Sequence, residues 1–120
     1  MIATLNQRAE KVENMNFLFI ADPLASFKIY KDSTYAMMAE AARRGHALHS
    51  MLADDLAWRD GRVQGLAHVV TLTGSQPWFA EDDVCWRDLT EFDAVIMRTD
   101  PPFDQAYLYA TWLLEMAERQ

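Results

Sequence analysis

Apolar residues occur along the chain in short runs that charged and turn-forming residues separate. Residues 17–21 (FLFIA) and residues 94–97 (AVIM) are compact runs with aromatic or β-branched side chains, and each predicts a buried strand. Both runs stop at a charged residue, Asp22 in the first case and Arg98 in the second, and a proline follows shortly after. Proline disfavours further strand pairing, so we expect each strand to end in a loop.

A helix and a further strand follow the first run. Residues 35–44 are rich in Ala, Met and Glu, which are good helix formers. We expect Asp32 or Ser33 to cap the N-terminus of this helix and Gly45 to end it. Residues 47–52 then predict a second strand. Strand, helix and strand in this order predict a right-handed βαβ unit with parallel strands.

The middle of the chain changes to an antiparallel pattern. Residues 56–63 contain an Asp-Gly pair between two strand-like runs, which predicts a hairpin. Residues 68–73 are rich in β-branched side chains and predict a further strand, and residues 74–77 predict a turn. Residues 78–93 show no clear period, apart from a helical turn that we expect at residues 88–91.

The two ends of the chain differ in character. Residues 105–119 predict a second helix that Asp104 would cap, and its apolar residues lie on more than one side. One side is expected to pack on the sheet, and another to meet a further domain or subunit. Residues 1–15 are mostly polar with a weak helical stripe, and we interpret them as a peripheral extension, with Met15 as an alternative natural start.

Together these elements predict a small three-layer α/β domain with a mostly parallel sheet and an antiparallel hairpin insertion. If residues 17–21 lie between residues 47–52 and 94–97, the strand order reverses beside them. The crevice at the ends of the strands 17–21 and 94–97 is then the switch point at which such sheets bind ligands. The first helix starts at the same edge, and its amide groups, with Lys28 and Lys31 nearby, predict an anion site.

Composition narrows the class of function. The length of 120 residues fits one domain, and a net charge of −7 argues against a nucleic-acid surface, because phosphate binding needs clustered Lys and Arg. No apolar run approaches the roughly 18 residues of a membrane span, and no secretory signal is recognisable. Cys85 is the single cysteine, which fits a cytoplasmic protein without disulfides. The histidines lack metal-ligand spacing, so we expect no metal site.

Three motifs together resemble a known family. They are FIADP at residues 19–23, KIYKDSTYAM at residues 28–37 and MRTDPPFD at residues 97–104, and the sequence RRGH at residues 43–46 accompanies them. In this order and at this spacing they resemble the N-terminal domain of prokaryotic glutathione synthetase. The resemblance runs to the C-terminus, so we assign residues 16–120 to this domain.

The resemblance implies a Rossmann-like, pre-ATP-grasp domain of a cytoplasmic, oligomeric ligase of glutathione biosynthesis. In that family, ATP phosphorylates the cysteinyl carboxylate of γ-glutamylcysteine, and the amine of glycine attacks the acyl phosphate. An ATP-grasp domain, which follows in the family and is absent from this chain, binds most of the ATP and magnesium. We therefore expect this chain alone to be inactive and to hold no cofactor. Its expected partners are γ-glutamylcysteine or glutathione, the missing ATP-grasp domain and further copies of itself.

The candidate substrate-binding residues lie in the two loops and at the helix N-terminus. Arg98 is predicted to grip a substrate carboxylate through two hydrogen bonds, the alternative being a structural salt bridge with Asp22 or Asp100. Asp100 is equally suited to accept from a substrate ammonium or to cap its loop, and Pro101 is interpreted more as a rigid support than as a contact. For each of the other candidates, the alternative to a substrate contact is a role as a helix cap or as a solvated loop charge. These candidates are Asp22, Lys28, Lys31, Asp32 and Ser33. No catalytic residue is predicted.

A second hypothesis, of a different class, is a stand-alone Rossmann-like module that mediates interaction or dimerisation without catalysis. The reading frame beyond Gln120 separates the two hypotheses. Continuation into an ATP-grasp domain favours the ligase, and a stop codon favours the module.

Overall fold

A computed structural model describes residues 2–4, 14–30, 32–99 and 105–120. A mixed sheet of seven strands runs through these ranges. The strands are β1 (Ile2–Thr4), β2 (Asn16–Ala21), β3 (Ala47–Met51), β4 (Leu56–Arg59), β5 (Arg62–Leu72), β6 (Phe79–Asp88) and β7 (Ala94–Arg98). Their order is β1-β7-β2-β3-β5-β4, and β6 pairs with the other edge of β5. The predicted α/β class is confirmed. The sequence predicted a mostly parallel sheet, but only the pairings of β2 with β3 and β7 are parallel among those described, because β1, β4, β5 and β6 join the sheet by antiparallel pairing.

The three central strands form the predicted parallel core. β2 lies between β7 and β3 and is parallel to both, so the predicted strand order is confirmed. In the register of the strands, Ala21 lies opposite Arg98 and Ile20 lies opposite Met51. The strands therefore end at about the same level, and the loops that follow β2 and β7 start side by side.

The helix α1 (Ser33–Arg43) has the ends that the sequence predicts. At its N-terminus, Oδ1 of Asp32 accepts hydrogen bonds from the N–H groups of Thr34, at 2.8 Å, and Tyr35, at 3.2 Å. Gly45 follows its C-terminus with a φ of 85°, a conformation that side chains disfavour. Asp32 is thus the N-cap, and glycine ends the helix as expected.

The predicted Asp-Gly hairpin joins β4 to β5. Asp60 and Gly61 both have positive φ, of 52° and 74°, as a type I′ turn requires. The further strand expected at residues 68–73 is the second half of β5, which runs without a break. This strand is long enough to pair in succession with β4 and β3 along one edge.

The strand β6 was not predicted. It pairs antiparallel with β5, but most of its side chains are exposed on both faces, and a register shift interrupts the pairing near Asp83, whose φ is 49°. A strand alternates between apolar and polar residues when one of its faces is buried, so β6 carries no such signal. The expected helical turn after it is present as a 3₁₀ turn, Leu89–Glu91, which Asp88 caps.

The helix α2 (Gln105–Glu118) lies on the opposite face of the sheet from α1. Alternate residues of β2 divide between two buried clusters, with Leu18 in the cluster under α2 and Phe19 in the cluster under α1. Three layers result, as predicted. The expected cap of α2, Asp104, lies outside the described residues. Within the described ranges, no helix has the length and apolar character needed to span a membrane.

The outer side of α2 carries large exposed side chains. Tyr109, Trp112 and Met116 have exposed fractions of 52%, 50% and 39%. They recur at helical spacing, so they form one stripe that faces away from the sheet. The predicted contact of this side with a domain or subunit stays a prediction.

The short strand β1 is the second element that sequence analysis missed. Ile2 to Thr4 pair antiparallel with β7, with Ile2 opposite Ile96. A three-residue strand at the edge of a sheet is held mainly by backbone hydrogen bonds, so its sequence needs no long apolar pattern. The weak helical stripe noted between residues 5 and 12 lies outside the described residues.

Candidate functional site

A cleft of about 470 Å³ opens at the carboxyl ends of β2 and β7. The loop after β2, the N-terminus of α1 and the end of β7 form its walls, and Tyr107 of α2 also lines it. This is the predicted switch point, because the helices that follow the neighbouring parallel strands β2 and β7 lie on opposite faces of the sheet. The loops that sequence analysis expected to share a pocket therefore do so, as far as the structure describes them.

Arg98, the last residue of β7, is tied to the first turn of α1. Its Nη2 donates a hydrogen bond to Oγ of Ser33 at 2.6 Å, and its Nε donates to Oγ1 of Thr34 at 3.3 Å. Both acceptors are neutral hydroxyl groups, so these two bonds do not themselves neutralise the positive charge of the guanidinium. They fix its position without taking the place of an anionic ligand.

The N-terminus of α1 contributes less to an anion site than predicted. The carboxylate of Asp32 already accepts from the amides of Thr34 and Tyr35. A ligand anion would have to displace this cap, whose negative charge also opposes it. Positive potential in the described part of the cleft therefore comes chiefly from Arg98.

The predicted site residues divide into three groups. Asp22, Asp32, Ser33 and Arg98 line the cleft. Lys28 is exposed and is not among the described residues that line it. The remaining candidates, Lys31, Asp100 and Pro101, lie outside the described residues, so their roles stay predictions.

The cleft also has an aromatic wall that sequence analysis did not assign to it. Phe27 lines the cleft and stacks on Trp78, with ring centroids 5.6 Å apart. Tyr35 meets the same indole edge-on, with ring centroids 5.0 Å apart. Only 6% of Trp78 is exposed to solvent. Trp78 is therefore a packing residue, and its partner Phe27 brings this packing to the cleft.

Thr99 is a polar residue of the cleft with an unusual hydroxyl group. Its Oγ1 is buried and has no hydrogen-bond partner within the part of the chain that the structure describes. Buried hydroxyl groups are normally paired, so this unpaired oxygen makes Thr99 a candidate residue of the site. Sequence analysis included Thr99 only within the motif at residues 97–104 and assigned it no role.

A smaller pocket of about 130 Å³ lies on the other side of Asp22. In the wall of this pocket, Ser50 donates a hydrogen bond to Oε2 of Glu81 at 2.6 Å, and His68 lies beside them.

Among the described residues, no group of three or more His, Cys, Asp or Glu side chains is arranged to hold a metal ion.

Comparison with known proteins decides the family. Residues 15–120 match the family described as prokaryotic glutathione synthetase, N-terminal domain. The chain belongs to this family. The match covers the strands of the parallel core, both helices and every candidate residue of the cleft.

Individual members of the glutathione synthetase family agree with this result. The glutathione synthetase of Nitrosomonas europaea is 52% identical over 110 residues, which are 88% of this chain and 34% of the relative. That of Ralstonia nicotianae is 51% identical, over 88% of this chain and 33% of the relative. That of Vibrio parahaemolyticus is 44% identical, over 84% of this chain and 32% of the relative. The chain thus spans about a third of the length of these relatives.

Proposed function

We propose that this chain is the part of a glutathione synthetase that positions γ-glutamylcysteine for ligation to glycine. The observation that carries the proposal is the cleft at the ends of β2 and β7, with a positioned arginine, in a chain about half identical to proteins named glutathione synthetase. The whole protein is then an ATP-dependent ligase of the cytoplasm, as the family resemblance implies.

Arg98 would bind a carboxylate of the dipeptide. The protein carries a net charge of −7, so an anionic substrate is repelled by most of its surface. A fixed guanidinium at the cleft provides local attraction, and its planar fork suits the two oxygens of a carboxylate. The hydroxyl group of Thr99 would supply a neutral hydrogen bond beside it.

The described residues do not fit a site for magnesium and nucleotide phosphates. No suitable group of metal ligands occurs among them, and the cap of α1 occupies two of its first amide groups. We therefore assign no step of carboxylate activation to these side chains. In the proposal, their work is to bind and orient the dipeptide, and catalysis requires the rest of the enzyme.

Binding of γ-glutamylcysteine to the 120-residue chain tests the proposal. Isothermal titration calorimetry should show weak binding that Arg98→Ala reduces about 10- to 100-fold, because a hydrogen bond to a charged group contributes about 1.5–3 kcal/mol. The dipeptide with both carboxylates amidated should bind equally weakly to both proteins.

Arg59→Ala is the matched control for this experiment. Arg59 is exposed at the hairpin, where its guanidinium stacks over the ring of Trp86 at 4.0 Å, away from the cleft. Its removal should leave the affinity unchanged. Equal affinity of the wild-type protein and Arg98→Ala for γ-glutamylcysteine would refute the proposed site.

A second candidate function is an interaction module that does not bind substrate. The exposed stripe of Tyr109, Trp112 and Met116 on α2 favours it, because apolar patches of this kind often mark contacts between proteins. Under this alternative, the chain would associate with itself through α2, and neither form of the dipeptide would bind.

A further inference from the structure

We propose that Thr34 is a positioning residue that acts through Arg98. Its hydroxyl group, together with that of Ser33, holds one side of the guanidinium so that the outer end of the fork faces a carboxylate ligand. The inference rests on the proposed function, because it concerns the same cleft. It adds a residue that touches the arginine and not the substrate.

The hydrogen bonds of Arg98 show which donors are already in use. A guanidinium has five N–H groups. Nε and Nη2, which point to the same side of the fork, donate to Thr34 and Ser33. The two N–H groups of Nη1 and the second N–H group of Nη2 are not used in these bonds. A carboxylate would therefore approach the end of the fork and bind Nη1 and Nη2 together.

Thr34 is better suited than Ser33 to fix this geometry. Thr34 is only 6% exposed, while Ser33 is exposed. The backbone of Thr34 is held by the bond from its N–H group to Asp32, and its β-branched side chain has restricted χ1 rotation. Its buried oxygen also needs a hydrogen-bond partner, which Arg98 provides. Thr34 thus gives the flexible arginine a rigid, buried point of attachment.

Hydrogen bonds that hold Arg98 in place before the ligand binds should raise the affinity for the ligand. A long side chain that is already ordered loses less conformational freedom when the ligand binds. Loss of the Thr34 hydroxyl should therefore weaken binding by about three- to tenfold, which is less than the loss of Arg98 itself.

Two substitutions of nearly equal shape separate this role from a role in folding. Thr34→Val keeps the volume and removes the acceptor, and Thr34→Ser keeps the acceptor. In nuclear magnetic resonance spectra, the Nε–H signal of Arg98 should be sharp in the wild-type protein and in Thr34→Ser, and broadened by exchange with water in Thr34→Val. Calorimetry with γ-glutamylcysteine should show the three- to tenfold loss in Thr34→Val and near wild-type affinity in Thr34→Ser.

Thr111→Val is the matched control, because Thr111 also lies in a helix and its hydroxyl group donates to the carbonyl of Leu108 at 2.7 Å. It should change neither the Arg98 signal nor the affinity. If Thr34→Val fails to fold, Ser33→Ala tests the same arrangement from an exposed position, and it should broaden the Nη2–H signal of Arg98 and weaken binding.

The outcomes distinguish this inference from the proposed function. Wild-type affinity in Thr34→Val, or in Ser33→Ala as its replacement, combined with lost affinity in Arg98→Ala, overturns the role of the hydroxyl groups and leaves the proposed site standing. Unchanged affinity in Arg98→Ala overturns both. A broadened Arg98 signal together with weakened binding in Thr34→Val supports the inference.

Discussion

His49 is a base that the fold keeps away from water. It lies on β3 with an exposed fraction of 7%, and its ring meets that of Phe92 edge-on at 5.0 Å. Its Nδ1 has no hydrogen-bond partner among the described residues. Burial lowers the pKa of His49 from its ordinary value of 6.5, and the positive charge of Arg87 lowers it further, while Glu91 acts in the opposite direction. The folded protein therefore favours the neutral imidazole.

This preference predicts that the protein loses stability in mild acid. Below pH 6.5 the unfolded chain binds a proton at His49 that the folded protein binds only at lower pH. The free energy of unfolding should thus fall as the pH decreases from 6.5 to the pKa of the folded state, with a slope of at most about 1.4 kcal/mol per pH unit. Urea denaturation at several pH values measures this slope.

His49→Gln is the variant that isolates the contribution of His49 to acid sensitivity. Glutamine does not titrate, so the stability of this variant should depend less on pH below 6.5 than that of the wild-type protein. An identical slope in both proteins would show that other groups cause the acid sensitivity.

At the level of secondary structure, the residues at the N-terminus of α1 contribute both to the stability of the fold and to the shape of the cleft. Its N-cap, Asp32, lines the cleft, and the two residues that follow hold Arg98. The sequence predicted this helix and both its ends, because capping residues act on amide groups within one turn. Sequence analysis left open whether Asp32 or Ser33 is the cap, and the structure shows that Asp32 uses two of the amide groups on which the expected anion site depended.

Removal of the cap should destabilise the protein. Asp32→Ala loses the acceptor for the amides of Thr34 and Tyr35 and should cost about 1 kcal/mol of unfolding free energy. Asp32→Asn keeps an oxygen in the same place and should lose less. Thermal denaturation of the two variants measures the difference, and equal losses would mean that the charge of Asp32 matters more than its hydrogen bonds.

Elements far from the cleft show where pattern analysis works and where it does not. The hairpin turn at Asp60 and Gly61 was predictable because positive φ at two successive positions restricts the residues that fit. The strand β6 was not predictable because most of its residues are exposed and are held by pairing with β5. Neighbouring backbone, which lies outside any local window of sequence, decides such a strand.

At the scale of the whole molecule, the sheet has two unlike faces. Leu114 of α2 is fully buried on one face, and Met38 of α1 is fully buried on the other. The outer side of α2 is apolar as well, so the sequence of this helix did not indicate which side meets the sheet. The fold decides this through packing and leaves Trp112 half exposed.

Two substitutions in α2 test which side carries the packing. Leu114→Ala should cost about 2–5 kcal/mol of unfolding free energy, because it opens a cavity in a buried cluster. Trp112→Ala removes a larger side chain that is 50% exposed, and we expect a loss below about 1 kcal/mol. Urea denaturation of both variants gives the comparison. Similar losses would contradict the orientation of the helix.

Much of the candidate site was predictable, and for one reason. Arg98 and Asp22 each follow a strong strand signal, and general rules for parallel sheets bring the ends of such strands together. The aromatic wall of Phe27 and Trp78 was not predictable, because residues far apart in the chain build it. Lys28, which the sequence placed near the anion site, lies in the loop with its side chain exposed and outside the described lining of the cleft.

Local sequence patterns were enough to predict the strands of the parallel core, the ends of α1, the hairpin turn and the family. These depend on local patterns of burial, capping and backbone conformation, which a short stretch of residues carries on its own. Three other features follow from the packing of the folded chain: the donors of Arg98 that are occupied, the side of α2 that is buried, and the pairing of β6 and β1. Those outcomes depend on contacts between distant segments, whose geometry is set when the whole sheet and both helices have packed.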